Sequence, residues 1–312
     1  MDNYTFNERG MLDLLTEYFQ PRSKVKEEMR VSDLTSDQDL THHQHQIFKM
    51  SNMELLEETQ LGAKTLLKTR LKEDLLNELE FEGYVQTVNS LLEDLVELTS
   101  SDLPLYVKKL DAEAIIKLLG VDFGLAEDEY DYGFLFNRLT VILPVIERTI
   151  LTNAKTSPIF VYYYPEHLLS PRQQVMFKEY LLQVSEKMNV LVLSKSRYFL
   201  SDELMGNNVI ANGKQIITED FLEELEWRAP VNYSIDQLKQ SCTDLLKSYA
   251  MNFETFPVIS NCKLADIHVF AEADLYVIIE LMEEFNFEYA LEINYQKLSR
   301  PVSKYVQQFE RR

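Results

Sequence analysis

The chain has 312 residues, 46% of them hydrophobic, and a formal net charge of −20. That length and apolar content fit one large globular domain or two unequal ones, and exclude intrinsic disorder. The acidity, taken alone, argues against nucleic acid and anionic membranes as partners, although an acidic exterior can surround a small basic lining. Only 8 Gly and 9 Pro argue against a many-turned all-β architecture. No apolar run approaches the roughly 18 residues of a membrane-spanning segment. Cys242 and Cys262 form no CxxC pattern and no secretory leader precedes them, so they read as reduced thiols of a cytoplasmic protein.

In chain order, GMLDLLTEYF (Gly10–Phe19) predicts a short amphipathic helix, and Pro21–Asp39 a polar loop. HQIFKM at 45–50 reads as a strand. Ser51 with Glu54 three residues on is a capping box. A helical region then runs to about Ser100, with Gly83 marking a break between two helices. Leu105–Lys108 is expected as a short strand, and Asp111 as the cap of a helix Ala112–Leu119. Glu127–Asp131 is an acidic linker, and Phe134–Leu151 a helix kinked at Pro144.

The stretch from Pro158 to Lys195 carries most information. Ile159–Tyr163 has the composition of a strand buried on both faces. Ser170, Pro171 and Gln173 open a helix whose apolar face is expected from Val175, Tyr180, Leu181, Leu182 and Val184. Val190–Leu193 is a second strand. Two buried strands joined by one helix make a parallel crossover, which places the chain in the α/β class. Nucleotide-binding proteins of this architecture end the first strand in a metal-binding acid; this one ends in Tyr-Tyr-Tyr-Pro. Gln215–Ile217 reads as an edge strand, and the remainder as mostly helical: Ser234–Tyr249, Ala271–Asn286 and Pro301–Glu310, with Tyr289–Asn294 extended.

Several residues could carry chemistry. Lys64, Lys68 and Lys72 lie four apart, which on a helix makes one basic face, with Arg70 adjacent. Leu61–Lys72 holds four cations and no carboxylate; Glu73–Ser100 holds eight carboxylates and no cation. A row of lysines suits DNA-backbone contact without base reading, against the plainer reading of a solvated helix face. GAKT at Gly62–Thr65 lacks the spacing of a phosphate loop and is expected inside a helix, so no nucleotide is expected there. His42, His43 and His45 could bind a transition metal, or belong to a polar loop. Glu93, Asp94, Glu97, Asp102, Asp111 and Glu113 offer oxygens for calcium without an EF-hand loop. No residue pair has a nucleophile context, so no catalytic residue is assigned.

Four segments, HQIFKMSNMELLEETQLGAKTLL, EAIIKLLGVDF, IFVYYYPEHLLSPRQQVMFKEYL with VLVLSKSRYFL, and EFNFEYALEINY, resemble the CRISPR-associated Csn-two proteins. These act in spacer acquisition in type II-A CRISPR loci, and the last segment is similar to the extension of their longer-chain subgroup. The likeness spans roughly residues 45–295 and is one of hydrophobic pattern and element order. It implies a degenerate P-loop-NTPase-like parallel sheet domain, a long α-helical arm and a helical C-terminal extension. The expected divisions are 1–51 and 104–230 for the α/β domain, 52–103 for the arm and 231–312 for the extension. It further implies a non-enzymatic homotetrameric ring that takes double-stranded DNA ends through a basic hole. Calcium steadies the arms, and the partners are the integrase pair and effector nuclease of the locus. DNA binding then falls to Lys64, Lys68, Arg70 and Lys72, and calcium to Glu97, Asp102 and Asp111. The family starts with strands and a degenerate phosphate loop ahead of its first helix; this chain starts almost at that helix, so either its start is truncated or those strands are missing, and the central sheet is then expected to be short at its nucleation edge, which counts against ring assembly. The alternative function is a divergent metal-dependent nuclease or nucleotide hydrolase of α/β fold.

Overall fold

The computed structural model describes residues 10–27, 29–33, 38–99, 103–122, 133–211 and 214–309. The expected acidic linker at Glu127–Asp131 lies outside them. The chain divides into two compact units, Thr16–Leu193 and a second made of Met1–Leu15 with Ser194–Arg312.

A short helix α1 (Met11–Tyr18) leads into Thr16–Leu193, which contains a small hairpin, β1 (Ser32–Asp33) and β2 (Gln38–Asp39). Strand β3 (His45–Met50) ends at Ser51, which caps α2 (Asn52–Glu57) in the expected reciprocal box with Glu54. The long helical region is broken where the sequence did not suggest. After α2 comes a 3-10 turn, Glu58–Gln60, closed by Leu61 in the left-handed region at φ 50°. Helix α3 (Leu66–Asn77) follows and stops at Glu78, whose extended backbone turns the chain into α4 (Phe81–Glu97). Gly83 is therefore not the break; it sits inside the first turn of α4, where the lost side chain costs less than an interrupted hydrogen-bond ladder.

Helix α5 (Ala112–Ile116) is capped by Asp111, as expected, and ends at Lys117. The segment before it is not a strand. Leu110 exchanges its N–H and C=O with the Asn89 side chain on α4, at 2.7 and 3.0 Å, so a helix side chain supplies the bonds a neighbouring strand would have made. Helix α6 (Phe134–Asn153) runs unbroken through Pro144, which stands on its exposed side. Opposite it, Leu139, Ile142, Leu143, Ile146 and Ile150 are buried at helical spacing. Both α2 and α3 pack on α6.

Strand β4 (Ser157–Tyr163), helix α7 (Pro171–Ser185) and strand β5 (Asn189–Leu193) form the predicted crossover. The sheet is parallel throughout, in the order β3-β4-β5, with Ile47 opposite Ile159 and Phe160 opposite Val190. The inward face of α7 is Gln174, Phe177, Leu181 and Val184, the 3–4 repeat that continues one stripe. Val175 and Leu182, expected in that face, lie off the stripe and remain exposed.

The second unit contains, after two 3-10 turns at Arg197–Phe199 and Leu204–Gly206, a small hairpin, β6 (Ile210–Ala211) and β7 (Lys214–Gln215), followed by helices α8 (Glu219–Trp227) and α9 (Ile235–Tyr249). Then come β8 (Val258–Ser260), β9 (Ile267–His268), α10 (Glu272–Phe285), β10 (Ala290–Glu292) and α11 (Arg300–Val306). The extended Tyr289–Asn294 segment thus becomes β10, the edge of a second parallel sheet ordered β10-β8-β9 that the sequence reading did not anticipate. Strands of two or three residues give no periodicity to read. Leu238, Cys242, Leu245, Ile259, Leu275, Tyr276, Ile278, Met282 and Val302 fill the core between this sheet and its helices. Each such side chain contributes about 1.5–3 kcal/mol on burial.

Candidate nucleic-acid interface

In parallel α/β sheets, ligands settle in the crevice beyond the carboxyl ends of the strands. In the first sheet this edge is occupied by the protein itself. The Tyr162 hydroxyl, wholly buried, donates to Asn52 Oδ1 at 2.7 Å. Asn52 Nδ2 donates in turn to the carbonyls of Pro165 at 3.0 Å and His167 at 2.7 Å. Burial holds the Tyr162 phenol well above its ordinary range, so it stays a neutral donor. The second sheet is fastened in the same way. Ser260 Oγ donates to the Glu292 carbonyl at 2.8 Å and accepts from the N–H groups of Cys262 and Lys263.

The GAKT turn corrects one expectation. Gly62–Thr65 does not lie inside a helix; it is the turn that opens α3, with Thr65 as N-cap. No strand leads into it, since the 3-10 turn Glu58–Gln60 does. Its anion-binding capacity is also already used. The Glu58 carboxylate accepts from Leu66 N at 3.0 Å and Leu67 N at 2.9 Å, and the Thr65 hydroxyl accepts from Lys68 N. A helix N-terminus attracts an anion through its unpaired N–H groups and its dipole. Here Glu58, 6% exposed, takes that role, and desolvation raises its carboxyl above the usual range. Sequence reasoning missed Glu58, because eight residues separate it from Leu66 and no capping pattern has that spacing.

The four cations expected at DNA do not form one helical face. Lys64 precedes the helix in the turn, exposed; Lys68, Arg70 and Lys72 lie on α3, all partly buried. Arg70 is directed inward, with Nη1 donating to Thr149 Oγ1 on α6 at 3.1 Å and Nε 3.5 Å from Asp74. Lys72 pairs with Glu113 of α5 at 2.8 Å; that contact holds the carboxyl of Glu113 below its usual range. Among the described residues the Lys64 and Lys68 ammonium groups make no hydrogen bond or close ion pair, although the Lys68 charge also helps hold Glu113 below its usual range; these two stripe cations can still meet an outside anion.

The acidic residues are spread along α4 and α5. Glu97 closes α4 in the open, and Asp111 spends one carboxylate oxygen on Ala114 N at 2.8 Å, while Asp102 lies outside the described residues. Glu93 faces Lys109 at 3.8 Å. Among the described residues no group of three or more His, Cys, Asp or Glu side chains converges on a metal position. The histidine tract is also divided: His42 contacts Lys26 Nζ at 3.0 Å, His43 lies against His42, and His45 starts β3 with its ring edge on Phe19.

Helix α4 presents a second surface. Phe81, Tyr84, Val88, Leu91, Leu95 and Leu98 recur at alternating intervals of three and four, the spacing of a coiled-coil seam. Among the described residues none of α4 is buried, and Leu98 is 78% exposed.

No family model matches the chain, and no curated protein matches it in sequence. Its fold is similar to the crystal structure of Stu0660 of Streptococcus thermophilus, at a TM-score of 0.54 and 14% identity, covering 96% of this chain and 90% of that one. At that identity the likeness is one of fold: an α/β protein with a helical arm.

Proposed function

We propose that this chain is a non-catalytic, ring-forming protein that binds double-stranded DNA ends during CRISPR spacer acquisition, as the Csn-two resemblance implies. The observation that carries the reading is the pair Lys64 and Lys68, open at the start of α3 while Arg70 and Lys72 anchor that helix. Phosphates would displace counterions there, so binding would weaken steeply with salt. The seam of α4 supports assembly from copies of the chain, because among the described residues of one protomer nothing buries it. The fold likeness to Stu0660 is compatible with this reading and does not extend to function. The Glu58 carboxylate at the GAKT turn and the filled strand edges speak against the nuclease or nucleotide-hydrolase alternative.

The test is a gel shift of linear against closed circular duplex at low and physiological salt, with and without calcium. Salt-sensitive binding of linear DNA alone is expected, and equal binding of both forms would replace the ring by an open groove. Lys64→Glu with Lys68→Glu should abolish binding with the fold intact. Lys72 is left unchanged, since it holds α5 to α3 through its direct 2.8 Å pair with Glu113. Full binding by the folded double variant would overturn the interface.

A further inference from the structure

The second unit holds a cavity of about 200 Å³ that no step of the DNA reading uses. Phe253, Glu254 and Phe256 line one side, and Asn286, Phe287 and Glu288 the other. Its walls are fixed. Ala290 N donates to the Pro257 carbonyl at 3.0 Å, and β10 then pairs in parallel with β8. Asn286 ends α10 in the left-handed region at φ 55°, with its N–H bonded to the Glu283 carbonyl and that of Phe287 to Met282. Phe253 packs edge-on against Phe285, and Phe287 stacks on Phe285 at 5.3 Å. Phe256 sits at φ 53°, a conformation that bulky residues seldom adopt, and the residue is 56% exposed beside the cavity.

The polar lining has one sign. Glu254 and Glu288 bring carboxylates, and no lining residue is a cation. The opening lies at the carboxyl end of the 14-residue helix α10, where the helix dipole is negative. Aromatic rings with carboxylates and a negative helix end favour a cation that is also apolar, because the ring quadrupole attracts positive charge while its face excludes water. We propose that this cavity binds an alkylammonium group, either a free organic cation or the lysine side chain of a partner protein. The volume admits a trimethylammonium head or the end of a lysine.

The full chain would be titrated by calorimetry with choline, with its neutral analogue 3,3-dimethylbutan-1-ol, and with a lysine-bearing peptide. Saturable binding of at least one cation is expected, with the neutral analogue about tenfold weaker or more. Phe256→Ala should lose about tenfold in affinity and Phe256→Tyr should retain it. Phe256 is exposed, so the variants should fold; Glu288→Gln gives an independent reading if they do not. Choline binding alone identifies a free cation as the ligand, and peptide binding alone a partner's lysine. Equal affinity for the neutral analogue, no saturation with either cation, or full affinity in both Phe256→Ala and Glu288→Gln would overturn the assignment.

Discussion

Helices α4 and α10 are both rich in leucine, valine and aromatic residues, yet α10 buries Ala273, Leu275, Tyr276, Val277, Ile278, Ile279, Leu281, Met282 and Phe285, and α4 none. Helix α10 is apolar nearly all round and lies against α9 and α11. Helix α4 keeps its apolar residues on a stripe and, among the described elements, packs mainly on α3. Apolar content alone therefore does not say whether a helix is core; the width of the stripe does. A full circumference needs neighbours on every side, while a narrow seam needs one.

The sharpest way to break this comparison is in α10. Ile278→Ala should cost about 2–5 kcal/mol in chemical unfolding, since a wholly buried side chain leaves a cavity. A smaller loss would mean that α10 can collapse around the gap. Next comes Asn52→Ala, which removes three hydrogen bonds, two of them buried, and should cost about 2–3 kcal/mol.

Glu58 gives a smaller, pH-dependent effect. Its carboxyl is raised above 4.5 by burial, so the native state holds its proton more tightly than the unfolded chain. The associated stability is present below the unfolded value and lost as pH rises through the folded one. Stability should therefore fall more steeply across that window in the parent than in Glu58→Gln, and parallel pH profiles would show that its proton affinity is unchanged by folding. In the native protein Cys262 should react with a maleimide while Cys242, buried on α9 with its thiol pushed up to about 12, should react only after unfolding. The smallest effect on folding is expected in α4. Leu91→Glu with Leu95→Glu should change protomer stability by about 0.5 kcal/mol or less, yet lower the mass seen by sedimentation. Unchanged mass would leave the seam without a role in assembly.

The first sheet was legible because its signals were local. His45–Met50 fell within the expected strand limits, and the Ser51 and Ser170 capping boxes occurred as read. The small second sheet was not, because the pairing of β8 with β10 joins residues more than thirty apart through strands too short to alternate. The lysines were visible as a repeat, but the repeat presumed a helix through Gly62–Thr65. What distinguishes Lys72 from Lys64 and Lys68 is its direct pairing with Glu113, some forty residues away and brought close only by the packing of α5 on α3. Glu58 was illegible for the same reason at shorter range.

The single amide of Asn52 joins the start of α2, the end of β4 and the loop after it. A crevice that must admit and release a substrate needs a hinge, and this one is riveted. Rigidity there has a kinetic meaning: α2 packs on α6 and so does α3, and a charged surface carried on such a mount would meet any partner already shaped. Little ordering would then be needed at the moment of contact, and encounters would be decided by the local field of the exposed lysines within an acidic chain and screened by salt, with the time to rearrange contributing little.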